Sequence, residues 1–264
     1  MEIVHMSLPQ ALTQDQLDSE WQRLRALLDS DGVHACQRAI AIESDAAARN
    51  QVYRFAIRKL GGGSGATPKD LDAMIELGMA AIEHAHATSK LDPERSALWL
   101  DEANVSAFNL AANLCDCWGD GDSRRREHFE AGLKFADQAL ILRRALKKGP
   151  GPFSMAHWMR GKHLLSLGRA SESAESFAMS LSFEEKLASA KGLPSQPSAL
   201  SPGSLLLSYA FLGLAKIRAG SPDGQSVFDT AKELLQAHVE NGDSGTRDDA
   251  KAFLEQLAEA ARRN

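Results

Sequence analysis

The side chains that could do chemistry are few, and most are spaced against it. Cys115 and Cys117 stand two residues apart; on a helix such neighbours diverge by roughly 200°, so they cannot share one metal ion. With three cysteines in all, no second pair completes a zinc site, and small buried apolar cysteines are expected. His84 and His86 repeat the problem, and His157 and His163 are six apart, whereas helical metal ligands need spacings of three or four. The stretch GGGSGATPKD (61–70) has the glycines of a phosphate loop but not its order. Pro68 precedes Lys69, and a helical pattern stands where a buried strand is required. No serine sits in a nucleophile elbow. The reading is therefore a non-enzyme without cofactor, metal or catalytic residue. One charged cluster stands out, SRRREHFE (123–130), whose three arginines oppose the dipole of the helix they begin. Asp116, Asp120 and Asp122 are near in sequence and are expected to balance them.

The elements that would position any site are helices. Nine prolines divide the 264 residues into long proline-free runs of helical period. Thr67-Pro68, Asp92-Pro93, Ser201-Pro202 and Ser221-Pro222 read as a cap followed by a first helical residue. Gly61, Gly149, Gly168, Gly192, Gly220 and Gly242 follow apolar runs where helices would stop. The predicted helices cover 13–29, 33–43, 45–60, 68–88, 93–117, 123–147, 153–167, 170–190, 202–219, 222–240 and 245–263. No segment alternates like a strand. The connections are mostly short, so successive helices should be antiparallel neighbours.

Composition narrows the class without naming a partner. Hydrophobic residues make up 44% and charged residues 25%, as in ordinary soluble proteins. A formal charge of -5 disfavours nucleic acid and anionic membranes. There is no apolar run near twenty residues and no signal-peptide pattern, and the cysteine count is no disulfide framework, so the cytoplasm is the expected compartment.

Self-similarity is visible at GKHLLSLGRASESAESFAMSL (161–181). Gly161 lies inside one helix, Gly168 ends it, and Phe177 and Ser180 fall on the next. Gly213, Gly220, Phe228 and Ala231 repeat that order. Ala111, Gly132, Ala136 and Ala139 follow it more loosely in 104–142. Glycine inside a helix costs roughly 1 kcal/mol against alanine. Close approach of a neighbouring helix would explain Gly78, Gly132, Gly161 and Gly213. This pattern resembles the tetratricopeptide repeat, most clearly over 155–185 and 204–236 and only in outline over 45–88, with a spacing wider and less even than the family's period of about 34 residues. The resemblance implies an all-α fold, an antiparallel helix-pair solenoid with a tetratricopeptide-like superhelix of about ten or eleven helices. It would be a single array over 1–264, capped by helices in 1–43 and by an amphipathic helix in 244–264.

The resemblance also implies where a partner would dock, because the first helix of each pair lines the concave face. Carried over, that face would hold Met155, Trp158, Lys162, Leu214 and Arg218, with Phe108, Ala112 and Asp116 from 104–118. The weakly matched 45–60 helix adds Gln51, Arg54, Phe55, Arg58 and Lys59. Such a groove suits a protein or peptide partner of some acidic character, and the implied function is a scaffold or adaptor. The alternatives are a homo-oligomeric structural protein, such as a homodimer, and a helical enzyme or small-molecule sensor. A Trp158→Ala, Lys162→Ala double variant is expected to lose partner without unfolding.

Overall fold

The computed structural model describes residues 11–61, 66–116 and 124–263. Among them are eleven α-helices and no strand. They fall into two compact units, the first drawn from 1–114 and 122–146 and the second from 115–121 and 147–264. No helix among the described residues is long and apolar enough to cross a membrane.

The first unit contains α1 (Gln14–Asp31), α2 (Val33–Ala41), α3 (Ala46–Gly61), α4 (Pro68–Leu91), α5 (Ser96–Leu114) and α6 (Arg126–Ala145). Its boundaries follow local chemistry. Thr13 and Gln16 form a capping box on α1, and Thr67 and Asp70 form one on α4, with Pro68 in the first turn. The expected helix from 93 is shorter at both ends: Asp92 caps a single 3-10 turn (Pro93–Arg95) before α5 begins, and α5 stops at Leu114. From α3 to α6 each helix packs on the next, while α1 lies against α2 and α3. Leu71, Met74, Leu77, Trp99, Leu110 and Leu114 are fully buried between them. Gly78 sits where a methyl group would be 2.4 Å from the Leu110 side chain, so α4 and α5 approach closely there.

The second unit runs through α7 (Pro150–Ser166), α8 (Ala170–Ala190), α9 (Gly203–Arg218), α10 (Gly224–Asn241) and α11 (Ser244–Arg262). Each packs on its successor, and α11 also touches α9. α7 starts earlier than expected because Pro150 and Pro152 both lie in its first turn, where the missing N–H groups had no helical acceptor. α10 starts two residues later than expected, with Pro222 in the turn and Asp223 as its cap residue. α11 is capped by Asp243, whose carboxylate accepts from the Thr246 N–H at 2.8 Å. α7, α8 and α9 end alike. Gly168, Gly192 and Gly220 have φ near +70°, and the following N–H bonds back to the Leu164, Ala188 and Lys216 carbonyls at 2.9 Å. These are Schellman terminations, which need the left-handed conformation that glycine adopts without strain.

Gly161 and Gly213, singled out by spacing, lie at helix contacts. A methyl at Gly161 would be 2.8 Å from the Phe177 ring, and one at Gly213 would be 2.5 Å from the Phe228 backbone nitrogen. Ser173 donates to the Gly161 carbonyl at 2.8 Å across the same approach. A chain of buried hydroxyls joins α7, α8 and α9. Ser154 and Ser204 both donate to the Glu184 carboxylate. With the Ser154 proton so placed, Ser180 must donate to Ser154, at 3.2 Å, and Ser208 to Ser180, at 3.1 Å.

Candidate functional site

In the second unit two of the expected groove residues, Lys162 and Leu214, belong to the interior. Lys162 is 2% exposed, its ammonium 3.0 Å from the Asp116 carboxylate and 4.6 Å from the centre of the Phe211 ring. Asp116 also accepts from the Ser166 hydroxyl at 3.0 Å and faces Arg263 at 3.4 Å. Burial alone would push its carboxyl up, but Lys162, Ser166 and Arg263 together hold it below the ordinary carboxylate range. Leu214 is buried at 5% exposure. Trp158 is half-buried, with its ring edge-on to Phe211 at 5.3 Å and to Phe177 at 6.5 Å. Arg218 donates to the Ala260 carbonyl near the end of α11, and burial depresses its basicity. Phe253 of α11 lies over Gly203 at the start of α9. The C-terminal helix thus covers the face on which Arg218 was expected to meet a partner. Met155, 54% exposed, is the most open of these residues, and Trp158 and Arg218 are partly exposed.

Phe108 is also engaged otherwise. The Arg143 guanidinium lies 4.4 Å above its ring and donates to Asn104 at 3.0 Å. Burial brings the Arg143 pKa down to about 10, so the group stays charged at neutral pH and is stabilised by the ring face and the amide oxygen. In the arginine cluster, Asp116 is not the balancing carboxylate that was expected. Arg125 pairs with Asp72 and Arg126 with Glu130, while Asp116 serves Lys162. Asp120, Asp122 and Cys117 lie outside the described residues, as do Gly62, Gly63, Ser64 and Gly65 of the glycine stretch. Cys36 and Cys115 are buried thiols. His84 bonds to the Ala46 carbonyl at 3.0 Å. Among the described residues no group of three His, Cys, Asp or Glu is placed to hold a metal ion.

The residues expected on 45–60 do come together. Arg54, Phe55 and Arg58 line a pocket of about 620 Å³ in the first unit, between α1, α3 and α5. Gln51 and Ala112 line it as well, whereas Lys59 turns to Asp18, 3.3 Å away. α3 can present this wall because its apolar side chains are buried on its other sides, leaving Arg54 and Arg58, one turn apart, on the open face. Gln51 is anchored: its side-chain oxygen accepts from the Ala11 and Leu12 N–H groups at 3.1 and 2.8 Å, which leaves its NH₂ as the unused end.

α5 supplies what the sequence reading missed: Ser106, Asn109 and Asn113. Their spacing puts all three on one helix face, and serine and asparagine inside a helix are each less favourable than alanine. That polar stripe in the otherwise apolar last ten residues of α5 (105–114) was the available signal. Ser106 carries more information still. It is 4% exposed and its hydroxyl has no partner among the described residues. Other hydroxyls in this chain's helices bond back to the preceding turn, as Thr88 does to His84, Ser89 to His86 and Ser182 to Met179. An orphaned buried hydroxyl costs about 1–3 kcal/mol.

The electrostatics of the pocket are one-sided. Its lining includes two arginines and four carboxamides but no carboxylate. Arg54 is paired with Glu102 at 2.8 Å. Arg58 stacks over Phe55, 4.8 Å from the ring centre, and has no ion pair among the described residues. Asp18 acts on it only at longer range and is itself bonded to Gln14 and Lys59.

No protein-family model and no curated protein matches the chain.

Proposed function

We propose that the chain is a tetratricopeptide-like interaction module that takes an extended segment of a protein partner in the pocket between α1, α3 and α5. The observation that carries the reading is the pocket lining, which combines Arg54, Phe55 and Arg58 of one helix with donors from Ser106, Asn109 and Asn113 of another. Side chains of this kind, an aromatic floor with arginines at the rim, are those that most often carry binding energy. Uncommitted amide and hydroxyl donors suit the carbonyls of an extended backbone. The repeat reading is supported by two helix pairs, α7–α8 and α9–α10, each closing at a glycine against the phenylalanine of the next helix. It is supported also by helices that pack in order from neighbour to neighbour within the second unit.

Selection from a random peptide library on the full chain tests the proposal. Enriched peptides should lose binding to Ala112→Trp, which fills the pocket from α5, and retain it with Met155→Ala in the other unit. Peptides that bind Ala112→Trp as well as the parent would remove the pocket from the account.

A further inference from the structure

We infer that a second copy of this chain docks in the groove between α2 and α4, about a two-fold axis running along the groove, so that α2 of each copy lies on α4 of the other. The groove, about 580 Å³, shares no lining residue with the pocket between α1, α3 and α5, so the inference stands apart from the peptide reading.

The groove follows from how α2 and α4 meet. α2 turns Cys36 and Ile40 inward, and the Gln37 amide donates to the Glu76 carbonyl at 3.1 Å, which holds α2 beside α4. Tyr53 of α3, 4% exposed, lies beneath them. Ala41 on one wall and Ala80 on the other are too small to close the space above its ring. Met79, 47% exposed, stands in the α4 wall. Ile42, 83% exposed, follows Arg38 by one turn at the cap of α2. These apolar groups are gathered at one concave place, as at contact surfaces, and not scattered singly.

Charge names the occupant. Arg38 on α2 and Glu83 on α4 both line the groove and both are exposed, and neither has an ion pair among the described residues. Glu76, on the same wall as Glu83, faces the His34 ring at 3.8 Å. One wall therefore carries a cation and the other carries anions, and the two are not joined within the chain. An isologous contact needs a patch that is its own complement. An axis along the groove exchanges the walls: it sets Arg38 of each copy against the α4 carboxylates of the other, and Met79 toward Ala41 and Ile42. An axis across the groove would lay α2 on α2 and α4 on α4, bringing like charges together. A partner carrying one sign of charge would match one wall and be repelled by the other.

Sedimentation equilibrium of the full chain, from low to high micromolar concentration, tests this. The mass should rise with concentration toward twice the 28.6 kDa of one chain. Met79→Asp, Arg38→Glu and Glu83→Arg should each weaken association at least about tenfold, because every contact occurs twice and a repulsive or desolvated charge replaces a favourable one. Mixing the Arg38→Glu chain with the Glu83→Arg chain should restore association, since both pairs in the mixed dimer are again of opposite sign. Met155→Asp, in the second unit, and Ala112→Trp, in the peptide pocket, should associate as the parent does. Circular dichroism melts establish that each variant is folded, and Arg38 and Glu83 are exposed, so their exchange leaves the core intact. A parent that is monomeric throughout, a dimer indifferent to Met79→Asp, or a dimer lost with Ala112→Trp would each overturn the inference. So would a mixture that associates no better than either charge variant alone.

Discussion

Lys162 and Asp116 are the residues on which a local change should have the largest effect. A buried ammonium and carboxylate each cost several kcal/mol to desolvate, and here each is the other's compensation. Asp116→Asn removes the carboxylate charge from beside the buried ammonium and should cost about 3–5 kcal/mol at neutral pH, measured by urea unfolding. The pH dependence has a defined sign. The Asp116 carboxyl is held below its ordinary value of 3.8 in the fold, so its stabilisation is complete above about pH 4 and is lost as pH falls through the folded value. The gap between parent and Asp116→Asn should therefore be constant from pH 7 to pH 5 and shrink below pH 4. The same burial reverses the expectation for the Trp158→Ala, Lys162→Ala double variant, which should now destabilise the second unit. The sequence placed both residues on the correct helix but could not distinguish a lysine facing a groove from one facing an aspartate 46 positions earlier. That distinction depends on which helices meet. Arg54, Phe55 and Arg58 were legible because their positions one turn apart on one helix are a local property. Ser106 was not, because an orphaned hydroxyl is defined by the absence of neighbours.

Helix boundaries were largely readable, since they depend on residues at the boundary itself. α8 runs from Ala170 to Ala190, as its pattern requires, between a Schellman glycine at either end. Errors gathered where a proline could occupy more than one position: Pro202 stands at the cap of α9, outside the first turn, and Pro222 lies before α10. Three of the helix-interior glycines, Gly78, Gly161 and Gly213, were correctly associated with close contacts, but their depth was hidden. At Gly161 the obstacle is the Phe177 ring, which can tilt; at Gly213 it is the α10 backbone at Phe228, which can move only with the whole helix. Gly213→Ala should therefore be the more damaging of two identical substitutions. Overpacking of this kind costs about 1–3 kcal/mol, with Gly161→Ala at the lower end, partly offset by the better helix propensity of alanine. Denaturant midpoints of the two variants measured together decide the order, and equal losses would show that α10 shifts as readily as a ring tilts.

At the scale of the molecule, the second unit is not one continuous piece of chain. Residues 147–264 supply its five helices, but 115–121 also belong to it, and Asp116 is in that segment. This makes the lysine's contribution depend on how much of the chain is present. In the full protein Lys162→Met removes half of an ion pair and leaves the buried Asp116 without its nearest cation, so it should destabilise. In a fragment of 147–264 the aspartate is absent, and Lys162 would sit beside Phe211 without the Asp116 carboxylate. There Lys162→Met replaces that charge with an unbranched apolar chain of similar volume and should stabilise. The predicted sign reversal, destabilising in the full chain and stabilising in the fragment, is read from urea midpoints of the four proteins. A substitution with the same sign in both would mean that the lysine's environment, and not Asp116, sets its cost, and the pair would lose its role as the tie between 115–121 and the helices of this unit.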